Sequence, residues 1–301
     1  MNDQAYRLRE LIKHSQQKHK KGDNSKKDND NTRIIAVTSG KGGVGKTNFT
    51  VNLAVTLNNL GHRVVIFDAD IGLANVDILL GLTSKYNISS ILNGEKNIED
   101  IMLDGPKGLK IIPGGSGIEE LIDMDNRKVD ILVNQLEKLK NSFDFIIIDT
   151  GAGLSNTVIS FVNAANEVIL VTTPEPTSLT DVYAMIKTLD TSSHHTDFNI
   201  VINRVKNEKE ANIIFDRLNR VSNKFLDINI NKLGFLNESK LVFKAVKRQE
   251  PFTSLYPNSL TSKNLIHMAN EIVEGQKSKE KGLGFDSFIK KFKNFFTKEA
   301  N

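Results

Sequence analysis

The sequence predicts an α/β fold, a doubly wound and mostly parallel sheet with helices on both faces. Three observations carry the prediction. Apolar, β-branched runs at residues 34–38, 63–67, 109–112, 143–148, 167–173, 199–204 and 232–236 read as strands, and the strongest are almost uninterrupted rather than alternating, as buried parallel strands are. Helical stretches lie between or after them, at 45–60, 75–80, 178–189 and 259–274. The first strand opens directly into a glycine-rich loop and then the first helix. With 301 residues and 39% hydrophobic composition the chain can bury one large core, and one body is expected over residues 33–275.

The loop is Ser39-Gly40-Lys41-Gly42-Gly43-Val44-Gly45-Lys46-Thr47. Gly40, Gly45, Lys46 and Thr47 match the phosphate-binding pattern G-x-x-x-x-G-K-[ST]. Glycines let consecutive N–H groups turn inward, and the loop opens onto the positive end of a helix dipole. Both features favour a polyphosphate such as ATP. Lys46 is placed to reach the β- and γ-phosphates, and the Thr47 hydroxyl to complete the coordination of a Mg²⁺ that bridges them.

The strand at 63–67 ends in Asp68-Ala69-Asp70 and that at 143–148 in Asp149. Carboxylates at the carboxyl ends of such strands border the ligand crevice. Asp149 has the position of a second Mg²⁺-supporting residue, through a metal-bound water. Asp68 and Asp70 are also candidate N-caps for the helix at 75–80. Thr150-Gly151-Ala152-Gly153 can approach a γ-phosphate through backbone N–H groups. Asn203, followed by Arg204, lies where a base would bind; its amide can offer a donor and an acceptor to adenine, or cap the strand end. Pro251 and Pro257 bracket a loop expected to close over the base. Residues 85–142 alternate polar loops with short helices, and their chemistry is not legible.

The absence of cysteine excludes disulfides, a thiol nucleophile and a thiolate-bound cluster, and the six scattered histidines offer no metal site beyond Mg²⁺. No apolar run approaches 18 residues and the first residues carry no signal-peptide core, so a cytoplasmic protein is expected. The net charge of +4 is unevenly spread: residues 1–33 hold nine Lys/Arg against five Asp/Glu, residues 276–301 seven against three, and the remainder 24 against 28. An acidic body thus carries two basic ends, and nucleic-acid binding by the body is not expected. At the N-terminal end (residues 1–32), positions 2–14 read as a short amphipathic helix and 14–31 as a polar tether. At the other end (276–301), a polar linker precedes a helix. At 100° per residue Phe285, Phe288, Ile289, Phe292, Phe295 and Phe296 share an arc of about 120°, with Lys290, Lys291 and Lys293 outside it. That pattern suits the interface of an acidic bilayer, and equally a groove on the body or a coat on the sheet edge.

Lys41-Gly42-Gly43-Val44-Gly45-Lys46-Thr47 resembles the deviant phosphate loop of the MinD/ParA superfamily. The resemblance implies a dimerising ATPase in which Lys41 reaches the partner's bound phosphates. Asp68–Asp77 is similar to the switch region of MinD-type members, which implies that Asp70 orients and deprotonates the attacking water while Asp68 supports Mg²⁺. Asn203 stands where family members hold the base. Asp149-Thr150-Gly151-Ala152-Gly153, and Asp3-Gln4-Ala5 with Leu8 and Arg9, look like elements of the FlhG-type flagellar-number regulators. In that branch the N-terminal element activates the signal-recognition-type GTPase FlhF. The resemblance further implies a homodimer in the ATP state, flagellar basal-body (C-ring) partners, and reversible association of the C-terminal helix with the inner face of the cell membrane. A MinD-type division-site regulator and a ParA-type DNA-partitioning ATPase are the alternatives.

Overall fold

The structure, a computed structural model, describes residues 32–70, 75–115, 126–193, 198–275 and 284–298. The expected N-terminal helix, its tether and the linker before the C-terminal helix lie outside these residues.

Eight strands, β1 (Arg33–Ser39), β2 (Val64–Ala69), β3 (Leu103–Asp104), β4 (Lys110–Ile112), β5 (Phe145–Ala152), β6 (Glu167–Thr172), β7 (Phe198–Val205) and β8 (Asn231–Asn237), form one sheet in the order β3-β4-β2-β5-β1-β6-β7-β8. Every pairing is parallel except that of β3 with β4. From β1 the chain first winds toward β2 and later toward β6, so the loop after β1 opens at a topological switch point. The buried run Ile34–Ser39 of β1 reflects cover on both faces. Ile34 and Ala36 join one apolar cluster, Ile35 and Val37 the other, as the two-residue period of a strand demands.

The helices are α1 (Lys46–Asn59), α2 (Asn75–Leu79), α3 (Ile88–Leu92), α4 (Ile98–Ile101), α5 (Asn126–Glu137), α6 (Asn156–Ala164), α7 (Pro176–Ser193), α8 (Glu208–Leu226), α9 (Lys240–Arg248), α10 (Phe252–Leu255), α11 (Leu260–Gly275) and α12 (Phe285–Lys298). Side-chain caps start several of them: Ser155 accepts from Val158 N–H, Asn207 from Glu210 N–H and Ser239 from Leu241 N–H. Helices α1 and α11 cover one face of the sheet, whereas α5, α6, α7 and α8 cover the other.

The segment between Pro251 and Pro257, expected as a loop, is in part a short helix that still lines the cleft through Phe252. It contains α10, whose Phe252 is buried and whose Thr253 donates through both N–H and hydroxyl to Asn52 Oδ1 on α1, at 3.0 and 3.1 Å. The C-terminal helix does form, but Phe285, Phe288, Ile289 and Phe292 do not face outward: they are buried in the core and Phe295 partly so. The side chain of Phe296 lies outside the described residues. The reason is a receptive apolar groove. The Phe292 ring lies 5.2 Å from Phe161 of α6 and 5.7 Å from Phe288, and Phe161 lies 5.4 Å from Phe67 of β2. Ion pairs fix the register, Lys140 with Asp286 at 2.8 Å and Lys293 with Asp130 at 2.6 Å. The groove reading of the amphipathic pattern therefore describes this conformation.

Phe292→Ala should cost about 3 kcal/mol in denaturant unfolding, capped by the docking free energy of the helix. Removal of residues 276–301 should cost a similar amount. A Phe292→Ala chain as stable as the parent would contradict the packing.

Candidate functional site

The loop after β1 bends sharply at glycines whose neighbours leave no room for a side chain. A Cβ on Gly40 would lie 2.4 Å from the Asp181 carbonyl carbon on α7. Gly45 has φ +95°, and a Cβ there would meet the Asn203 amide nitrogen at 2.4 Å. Asn203 reaches that point because β7 and β8 slip register beside it and Arg204 adopts φ +60°. Its Nδ2 donates to the Val44 carbonyl at 2.7 Å, and its Oδ1 accepts from Arg204 N–H at 2.9 Å. Asn203 thus clamps the loop in this structure, a non-base role close to the strand-end cap expected as the alternative, while still lining the cleft together with Arg204.

The loop opens into a cleft of about 770 Å³ lined by Gly42, Gly43, Gly45, Lys46, Thr47 and Asp70 on its phosphate side. Lys46 is the first side chain to matter. It is buried, with Nζ 3.2 Å from Asp149 Oδ1 and 3.8 Å from Asp70 Oδ2. Thr50, one turn along α1, donates its hydroxyl to the same Asp149 oxygen at 2.9 Å. Strands β2 and β5 pair with Asp68 opposite Asp149, which brings two buried carboxylates together. Burial first, and the charge of Asp149 second, push the Asp68 carboxyl up to about 7; N–H groups of Val76 and Asp70 and the Lys46 ammonium hold it from rising further.

The structure therefore brings together Lys46, Thr47, Asp68, Asp70 and Asp149, as the sequence predicts. Asp70 lies just past the end of β2, where its N–H donates to Asp68 Oδ1 at 3.2 Å. Helix α2 follows: N–H groups of Asn75 and Val76 both donate to Asp68 Oδ2 at 3.2 Å, and Asn75 Nδ2 donates to Asp70 Oδ2 at 2.9 Å. Asp68 is thus also the helix cap that sequence analysis offered as the alternative. Lys41 is not in the cluster. Its Nζ donates to Glu175 Oε2 at 2.8 Å and to Thr177 Oγ1 at 3.1 Å, both outside the phosphate side of the cleft. The Lys41 ammonium accordingly holds the Glu175 carboxyl below its usual range.

Thr50 and Asn75 were missed as site residues. Thr50 carries a usable signal, the i+4 spacing from Lys46 on an N-terminal helix turn. Asn75 carries none apart from its closeness to the switch acids.

The residues fit a Mg²⁺–nucleotide complex. Asp149 Oδ2 is buried without a hydrogen-bond partner among the described residues, as an oxygen reserved for a metal-bound water would be. Thr47, Asp68 and Asp149 would hold the ion, which supplies charge neutralisation at the phosphates when bound. Lys46 would bind the phosphate oxygens, and Asp70 lines the same part of the cleft. Among the described residues no group of three or more His, Cys, Asp or Glu side chains forms another metal site.

A family described as an AAA domain, AAA_31, matches residues 32–203. The chain is 40% identical over 230 residues to the antiactivator FleN of Pseudomonas aeruginosa, covering 76% of this chain and 82% of that protein. It is 38% identical over 276 residues to the flagellum site-determining protein YlxH of Helicobacter pylori, covering 91% of each. Among solved structures, MinD of Pyrococcus horikoshii complexed with Mg-ADP superposes with a TM-score of 0.67 at 28% identity, over 83% of this chain and 100% of that one.

Gly45→Ala should disable the loop, since it combines left-handed strain with displacement of Asn203. Strain alone is worth about 1–2 kcal/mol. The expected readout is a lowered melting temperature without nucleotide and loss of the ATP-induced upward shift. A shift equal to that of the parent would refute the geometry.

Proposed function

The chain belongs to the AAA_31 family and to the MinD/ParA-type ATPases, and from that premise we propose that it is a Mg²⁺-dependent, ATP-switched regulator of flagellum number and placement. The single observation that carries the proposal is the Lys46–Asp68–Asp70–Asp149 constellation in a chain 40% identical to FleN. The relatives support the coarse function. The finer parts of the reading rest on the chain's own residues.

In this reading Lys46 binds and polarises the β- and γ-phosphates, and Asp70 orients the attacking water and accepts its proton. Lys41 acts across a face-to-face homodimer. The ion pair that holds it on Glu175 is half exposed on both sides, and pairs of that kind are easily exchanged for a stronger partner such as a phosphate. Dimerisation would then complete each site with a cation from the other chain.

The two ends supply output. The residues of the N-terminal element, Asp3, Gln4, Ala5, Leu8 and Arg9, would engage an FlhF-type GTPase. The C-terminal helix would leave its groove when ATP drives dimerisation and enter an acidic bilayer, with two tethered helices gaining avidity that one lacks. No helix among the described residues is long and apolar enough to cross a membrane, so attachment would be peripheral. Flagellar basal-body proteins are the partners expected for the body. The MinD-like fold keeps a division-site regulator as a second reading, separated from the first by partners rather than by enzymology. The acidic balance of residues 34–275 disfavours retention on DNA.

Two measurements test the proposal. Lys46→Ala should abolish ATP binding, whereas Asp70→Ala should bind ATP, lose about a hundredfold or more in turnover and accumulate dimer in size-exclusion chromatography. Monomer in both would remove Asp70 from its assigned place. Deleting residues 276–301 should eliminate ATP-dependent sedimentation with acidic liposomes while ATP binding persists, and sedimentation equal to that of the full chain would refute the anchor.

A further inference from the structure

Helix α2 has five residues, too few to hold its own conformation in water, so contacts at its two ends set where it sits. Its first turn faces the chemistry through the Asn75 and Val76 bonds to Asp68 and Asp70. Val76 is buried beneath it, but Ile78, near its far end, is 59% exposed. On the core side Leu80 is buried and Ser84 donates its hydroxyl to Asp77 Oδ2 at 3.2 Å, and the exposed side of the outer end has a further contact.

That contact comes from another element lining the cleft. Helix α9 borders the cleft with Val242, Phe243 and Val246, and its C-cap is Gln249, in a left-handed conformation with φ +56°. The Gln249 amide Nε2 donates to the Ile78 carbonyl at 2.8 Å, a bond that spans 171 residues. Immediately after α2 the chain turns at Gly81, φ +65°, where a Cβ would lie 3.2 Å from Gln249 Oε1 and 3.4 Å from its Cβ. The turn is thus shaped to let this one side chain in. Gln249 reaches it from a left-handed backbone conformation, φ +56°, that residues other than glycine seldom adopt.

We propose that Gln249 is a positioning residue for hydrolysis. It ties α9, which lines the cleft with Val242, Phe243 and Val246, to the helix that aims Asp70, so that occupancy beside α9 and the orientation of Asp70 are set together. The link is one hydrogen bond at each stage: Gln249 to the Ile78 carbonyl, then Asn75 to the Asp70 carboxylate. It meets Lys46 at one remove, through the 3.8 Å approach of Nζ to Asp70 Oδ2, so it should affect turnover far more than binding. The assignment rests on the reading of Asp70 as the residue that orients water.

The experiment uses the full chain with Gln249→Met, which keeps length and the same backbone demand but has no donor, beside Gln249→Ala, Asp70→Ala and a neighbouring control, Arg248→Ala. Steady-state ATPase measurements separate kcat from KM, and hydrogen exchange without nucleotide follows the amides of residues 75–79. Loss of one such bond is expected to lower kcat about tenfold in both Gln249 variants, leave KM within about threefold, and speed exchange in α2 by about tenfold, with Arg248→Ala unchanged. Gln249→Met with parental kcat and parental exchange would overturn the proposal, as would a loss confined to KM. If Asp70→Ala keeps full turnover, the reading of Asp70 fails and the proposal with it. If Asp70→Ala is inactive while Gln249→Met behaves as the parent, the relay alone fails.

Discussion

The pairing register of β2 and β5 is the constraint on which the site depends. It sets Asp68 and Asp149 side by side at the buried carboxyl ends of two central strands, where one lysine, Lys46, is shared between Asp149 and Asp70. Burial first, and the neighbouring Asp149 carboxylate second, push Asp68 up to about 7. The arrangement is an unbalanced one until more positive charge arrives. A magnesium-bound polyphosphate would bring a divalent cation to the acids and give Lys46 an anion of its own, so the site suits the pair better than either part alone.

The framework around this cluster was largely legible in the sequence, and for local reasons. The runs at 34–38, 63–67 and 143–148 needed only their apolar continuity, and the loop needed only its glycines and Lys46. What escaped were contacts made across the fold. The Lys41–Glu175 pair joins residues 134 apart, and the Gln249–Ile78 bond residues 171 apart, neither with any local pattern to announce it. The clamp of Asn203 on the loop escaped for a similar reason, since it depends on a register slip between β7 and β8.

The C-terminal helix shows a different limit. A phenylalanine face flanked by lysines satisfies a bilayer and a protein groove equally well, because both ask for an apolar stripe about 120° wide with charge beside it. Sequence periodicity specifies the stripe and not the surface that receives it. The receiving surface was written elsewhere in the chain, in Phe161 and in the acid and base of the flanking ion pairs, Asp130 and Lys140.

The docking of that helix has a consequence for solubility. Phe292 and Phe288 are stacked on a groove whose floor runs through Phe161 to Phe67, so lifting the helix bares two adhesive surfaces, the helix face and the vacated trench. A membrane can shelter the first but not the second. A released chain would carry an uncovered aromatic trench that invites self-association, and a cell keeping such a protein dispersed has to hold the released state brief, scarce or capped by another macromolecule.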